Sequence, residues 1–376
     1  MYRIRLNSLY LLVRIFTVSV LSVDTWLDSM FLNSINHFRA IAITIIVAGH
    51  CFYTVDASFD TLIERTFGNL IAGGTVLFVF ISGFLFHHIF YKRYQFKKFM
   101  AGKLKKVLLP YTLLSIAPIL FLVLRQDAYY SLYNPQGTGF IATYLVPAAK
   151  YYLTGRFLIA YWYIPFAMIL FLLSPLHIAF IRLRFKWQMG ITGLLFVVSL
   201  FLHRPVDDIL ILQSVVYFTP IYLLGIMSSE KKETIYAKLQ GKEIYPLLIA
   251  IALAALQAAL GKFSSYQKPP MLYDGIDIML LQKVALCFFF MAWLHRFEHI
   301  NSKYINILAS TSFAIYFMHG FIMYIIQMGI DVLNIEFASP WIWHPVVTIS
   351  MMAVCLLLAI ATKKLLPNYS RYIIGY

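Results

Sequence analysis

Ten successive runs of roughly twenty mostly apolar residues constrain this chain more than anything else in it, because a run of that length coiled as an α-helix matches the hydrocarbon thickness of a bilayer. They fall near residues 35–53, 70–90, 107–124, 157–181, 188–203, 209–227, 244–260, 278–295, 305–329 and 343–362. In lipid every backbone amide must find its partner within the chain, so the runs are read as helices. The short alternating segments of a membrane β-barrel are not seen. Only 12% of residues are charged and 61% are hydrophobic, whereas soluble domains carry about 25% charged residues. The expected fold class is therefore an all-α integral membrane protein, about ten transmembrane helices in one bundle spanning residues 33–376.

Charge sets the expected orientation. Connections after even-numbered runs, with the tail, hold nineteen Lys and Arg residues, and those after odd-numbered runs hold seven. The sparse side also carries acids, among them Asp56, Asp60, Asp207, Asp208, Asp274 and Asp277. By the positive-inside rule the basic connections and both ends of the core lie in the cytoplasm. The net charge of +15 then reports topology, and no nucleic-acid partner is expected. Residues 1–32 are a separate, less determined segment: an interfacial amphipathic helix, an extra span, or an artefact of start choice, with Met30 as an alternative start. No soluble domain is expected at either end. The cysteines Cys51, Cys287 and Cys355 lie within apolar runs without metal-type spacing and read as small core residues.

The first run carries one arginine near its start and one histidine near its end. Arg39 and His50 are 11 positions apart, about three helical turns and 16 Å, so both project from one face. Ionisable groups at such depth are costly and usually face a protein interior or a wet cavity. A neutral imidazole can take a proton from an attacking hydroxyl, and a fixed cation can hold an anionic donor or developing charge. No intramembrane Asp or Glu accompanies the pair, which argues against a proton-coupled transporter.

Four further stretches carry chemistry-bearing groups. The basic run 91–111 puts Lys103 and Lys106 three apart at the start of the third span, where they can grip phosphates as well as satisfy topology. FVFISGFLFHHIF places Ser82 and Gly83 in mid-span, a pair that permits close helix approach. His87 and His88 after it read as interfacial. STSFAIYFMHGF places Tyr316 and His319 on one face of the ninth span, and AYWYIP places Trp162 and Tyr163 near the outer end of the fourth. The connection between the third and fourth spans is rich in Tyr, Gly and Pro, and serves as an aromatic belt or as a roof over a site. Lys283 is expected to pair with Asp277 or to snorkel.

In order and spacing these pieces resemble the acyltransferase-3 family of bacterial membrane O-acyltransferases. NHFRAIAITIIVAGH is similar to its first-span Arg–His signature, GTVLFVFISGFLF to its second-span motif, and FKKFMAGKLKKVLLPY to the basic run before a proline. WYIPFAMILFLLSPL and STSFAIYFMHGFI resemble later elements. The resemblance implies a stand-alone, polysaccharide-modifying enzyme of the bacterial inner membrane. It would move an acyl group, most often acetyl, from cytoplasmic acetyl-CoA or another acyl-CoA to a sugar hydroxyl of a glycan or lipid-linked glycan acceptor. No permanently bound cofactor and no metal is implied. His50 would be the catalytic histidine, Arg39 the essential arginine and a donor contact, and Lys103 and Lys106 donor contacts where many members carry arginines. Ser82, Trp162, Tyr316 and His319 would support the site or its acceptor side. Direct attack on acyl-CoA and a covalent acyl-enzyme relay both fit, with His50 as base favoured over His50 as nucleophile. The competing reading is a glycan exporter or flippase that transfers no acyl group, to which Arg39, His50 and the basic run would be unnecessary.

Overall fold

The computed structural model describes residues 32–125 and 131–376; the expectations for residues 1–31 lie outside them. The described elements are α1 (Asn33–Thr54), α2 (Leu62–Ile71), α3 (Thr75–Leu85), α4 (Phe96–Lys103), α5 (Leu109–Arg125), α6 (Val146–Thr154), α7 (Tyr163–Leu172), α8 (Ser174–Ile181), α9 (Phe185–Leu202), α10 (Ile211–Glu230), α11 (Lys232–Leu239), α12 (Ile244–Ala259), α13 (Ile278–His295), α14 (Lys303–Leu333), α15 (Pro340–Leu365) and the short α16 (Ser370–Ile373). Among the described residues eight helices are long and apolar enough to cross a membrane, or ten when each of two bent pairs counts as one span. Each of the ten expected runs coincides with one of these.

The outer surface is what lipid requires. On α9 the buried residues are Gln188, Thr192 and Ser199, while Trp187, Leu194, Val197 and Phe201 face outward. A helix in water would place these groups the other way round; in a bilayer the polar side chains turn inward to find partners. Ser199 and Gln188 do so, donating to backbone carbonyls.

Local chemistry explains where the helices begin and bend. The first amides of α1 have no intrahelical acceptor, and the Glu298 carboxylate takes them from Asn33 at 2.7 Å and Ser34 at 3.1 Å. Thr61 and Glu64 form a reciprocal cap at the start of α2, and Asp277 accepts the Leu280 N–H to open α13. Pro175, which lacks an N–H and crowds the preceding turn, sits where α7 and α8 meet at 54°. The second span is interrupted at 72–74, where Gly73 has φ +75°. Lys283, fully buried, spans this gap by donating to the carbonyls of Asn69 at 3.0 Å and Leu70 at 2.7 Å. The expected pairing of Lys283 with Asp277 is therefore corrected: helix-end carbonyls left without amide partners attract the ammonium, and Asp277 instead accepts from the Tyr217 hydroxyl at 2.7 Å.

Two glycines set the central crossing. A Cβ on Gly83 of α3 would lie 2.0 Å from the Tyr222 carbonyl oxygen, and one on Gly225 of α10 would lie 2.1 Å from that of Phe80. Each glycine thus admits the other helix's backbone, the small-residue contact by which membrane helices gain packing. Helix α1 packs against α3, α13, α14 and α15. The connection after the third span is largely helical beyond residue 130, with a π-turn (Ile141–Leu145) running into α6. Tyr133 stacks on Tyr151 with centroids 4.1 Å apart, and Tyr133 is buried, so these rings pack within the protein.

Candidate active site

Helices α1 and α14 bring the first run's histidine and the ninth run's together. His50 Nδ1 lies 3.0 Å from His319 Nε2, and the rings are nearly parallel. His319 Nδ1 lies 3.0 Å from the Ile315 carbonyl oxygen one turn earlier. A carbonyl only accepts, so Nδ1 of neutral His319 carries the proton and its Nε2 has the lone pair. That lone pair must accept from Nδ1–H of His50. The Nε2 of His50 is then left as a base. His319 is fully buried, whereas His50 keeps partial exposure, so the base belongs to the member of the pair that a reactant can reach.

Arg39, on the same face of α1, donates to the Ser312 hydroxyl at 3.1 Å. Ser312 precedes His319 by seven residues on α14, two turns or about 10 Å. The shared face expected for Arg39 and His50 is thus matched by a facing stripe, Ser312 and His319, on the neighbouring helix. The two site groups occupy different depths.

The segment before α7 is stitched onto α14. Tyr316 donates its hydroxyl to the Ala160 carbonyl, and Tyr161 donates to that of Phe317 at 2.9 Å. Ala160 has φ +70°, a left-handed turn that aims the next residues inward. Tyr163 consequently meets Tyr316 edge-on at 5.6 Å, and Tyr316 meets His319 at 5.9 Å. Ser82 stands in α3, one residue before the Gly83 crossing. Trp162 is buried with Phe218 and Phe166 beside it, so its ring is a packing element and offers little open face to a sugar.

Lys103 and Lys106 lie near the other end of α7. The Lys103 ammonium sits among three rings, 4.1 Å from the centroid of Phe171, 5.1 Å from Phe99 and 5.2 Å from Phe90. A π-turn (Leu104–Leu108) follows, so Lys106 is displaced from a regular helical position relative to Lys103. Lys106 is exposed, and the like charge of Arg371 of α16 is close enough to repel it. Lys103 is held by aromatic faces, while Lys106 and Arg371 present open charge. The structure does not bring either lysine to His50: Phe171 is eight residues, about 12 Å, along α7 from Tyr163.

One residue at the site went unassigned in the sequence. Arg204, in the connection between α9 and α10, has its Cζ 4.8 Å from the Trp162 ring centroid. It donates from one terminal nitrogen to both Asp208 carboxylate oxygens, at 2.7 and 2.9 Å, and from the other to Ser265 at 2.8 Å. In sequence it is one of seven basic residues on the sparse side, and only the folded loop sets it apart. Nearby, burial raises the Asp277 carboxyl above its ordinary range, and the bonds from Tyr217 and Leu280 hold part of that shift back.

A buried histidine pair with one reachable base, an arginine two turns away and a multi-helix membrane bundle suit group transfer between a charged donor and a hydroxyl. A model of the acyltransferase-3 family, described as an acyltransferase domain, matches residues 32–360. No curated protein and no solved structure matches the chain at a significant level. With the family model covering most of its 376 residues, the chain belongs to the acyltransferase-3 family and is a multi-pass membrane acyltransferase.

Proposed function

We propose that the protein is an O-acetyltransferase of a bacterial inner membrane that acts on a surface or exported polysaccharide, or on its lipid-linked precursor, with acetyl-CoA as donor. The observation that carries this reading is the proton order of the histidine pair, which leaves His50 Nε2 as a fixed base. In this reading the basic end faces the cytoplasm. Lys106 and Arg371 attract the donor phosphates, and Arg39 holds the donor further along. The acceptor hydroxyl loses its proton to His50 Nε2 and its oxygen attacks the thioester carbonyl carbon. Collapse of the tetrahedral adduct breaks the C–S bond, and the proton on His50 passes to the departing thiolate. An apolar groove of about 530 Å³ between α5 and α6, lined by residues such as Ile116, Leu120, Phe140 and Tyr152, favours a lipid-linked acceptor.

The test is chemical. Base-labile acetyl groups on the surface polysaccharide are compared between cells with and without the gene. Loss of acetylation with normal polysaccharide export supports the reading. Unchanged acetylation with lost export favours a carrier instead.

A further inference from the structure

We propose that His344 is a positioning residue of this acyl transfer, gripping the back of the α1 turn that carries His50 and so fixing where the His50 base points. The inference rests on the reading of His50 as the base.

The need comes from where His50 stands. It belongs to the last turn and a half of α1, which ends at Thr54. The final carbonyls of a helix lack intrahelical partners, and helix ends fray. Side-chain tips ride about 5–6 Å from a helix axis, so rotating this turn by about 10° carries the imidazole about 1 Å sideways. A displacement of about 1 Å can cost on the order of 10²-fold in rate. His319 meets the front of the turn at 3.0 Å. A contact from behind is needed to keep the turn from rotating or backing away.

His344 of α15 supplies it. Its Nε2 lies 2.8 Å from the Ala48 carbonyl oxygen, and because a carbonyl only accepts, this nitrogen carries the proton. The ring also lies flat on Phe52, with centroids 3.9 Å and planes 11° apart. Ala48 and Phe52 are four residues apart and share one face of α1. His50, two residues from each, projects about 160° away from them. His344 therefore touches the turn opposite the base, once by a hydrogen bond and once by a ring face. The histidine is itself held. It is 5% exposed, and the Thr348 hydroxyl one turn on donates to its carbonyl at 2.8 Å. In α15 it shares the buried stripe with Thr348, Met351 and Cys355, while Ile349 and Leu357 face outward. A phenyl ring would fill this place in the stripe; the N–H is what the histidine adds.

The experiment measures initial rates of acetyl transfer, per amount of folded protein, in membrane vesicles with radiolabelled acetyl-CoA as donor and the endogenous glycan as acceptor. Melting of the purified protein in detergent is followed alongside. H344F keeps a ring on Phe52 and removes the N–H; it is expected to lower kcat by about 10- to 100-fold with the donor KM within about twofold. H344Q gives up the ring but can donate its amide N–H to the Ala48 carbonyl, and is expected to stay within about threefold of the wild type. M351A opens a cavity in the same stripe and is expected to lower the melting temperature with kcat within about threefold. H344F at the wild-type kcat overturns the proposal. So does an H344Q enzyme no better than H344F, because the bond to Ala48 would then not be the cause. An M351A loss as deep as that of H344F overturns it too, since the packing of α15 would then carry the effect. Should H344F fail to fold, H344N, whose amide stops one bond short of Ala48, takes its place in each comparison. H50A run in parallel separates the two readings: wild-type turnover in H50A removes the reading of His50, whereas an inactive H50A with a normal H344F removes only the role of His344.

Discussion

Replacing His319 probes the proton order of the histidine pair without touching the base itself. In His319→Leu the Nδ1–H of His50 loses the acceptor it has at 3.0 Å. A buried donor left unpaired costs about 1–3 kcal/mol. His50 avoids that cost by moving its proton to Nε2, which removes the base from the reachable side of the ring. Since about 1.4 kcal/mol is tenfold in population, the productive tautomer and with it kcat should fall by about 5- to 150-fold. Donor KM should hold, because Arg39 and Lys106 lie elsewhere. His319→Gln is the informative partner. Its amide oxygen can accept from His50 and its NH₂ can donate to the Ile315 carbonyl, reproducing both bonds of the wild type. Steady-state acetyl transfer by purified enzyme in proteoliposomes should therefore show His319→Gln recovering most of what His319→Leu loses. A His319→Leu enzyme with wild-type kcat would refute the reasoning, as would a His319→Gln enzyme no better than His319→Leu.

Gly225→Ala should destabilise the fold by about 3 kcal/mol, the upper end for overpacking. The reason is that its Cβ must move about 1.3 Å to reach even a tight 3.4 Å contact with the Phe80 carbonyl, which is backbone; Gly102→Ala, with open space around it, should leave detergent melting unchanged or slightly raised. Lys106→Glu should raise the donor KM by about tenfold with kcat nearly constant, and the effect should shrink as salt rises because Lys106 is exposed; a salt-independent loss of kcat would contradict the assignment. Asp277 gives a pH signature. Burial raises its carboxyl in the folded protein, so the folded state holds the proton longer and its contribution to stability declines as pH rises from about 4 through the folded value. The melting temperature of the wild type relative to Asp277→Asn should fall across that interval, and a rise would be the wrong sign.

Much of the architecture was legible because a bilayer imposes one length and one rule on apolar segments. The ten runs read from composition coincide with the spans, including the two that bend. The shared face of Arg39 and His50 follows from helical spacing alone, and Ser82–Gly83 announced a close crossing. The identity of the crossing partner did not follow: Gly225 lies 142 positions from Gly83, and nothing local to either residue names the other. Lys283 illustrates a different limit. Asp277 is an obvious charge partner in sequence, but the stronger demand comes from carbonyls freed where the second span breaks, and that break depends on tertiary packing. The pairing of His50 with His319 required knowing that α1 and α14 are neighbours. Arg204 was hidden for the same reason, since its contact with Trp162 joins residues of different elements.

The most direct measurement of the proposed chemistry is acetyl transfer by the purified protein in proteoliposomes, wild type against His50→Ala, with binding of acetyl-CoA followed separately. With His50 as the general base, turnover should drop by about 10²–10⁴-fold while acetyl-CoA binds as before, because the groups assigned to the donor are intact. Turnover in His50→Ala equal to that of the wild type would contradict it.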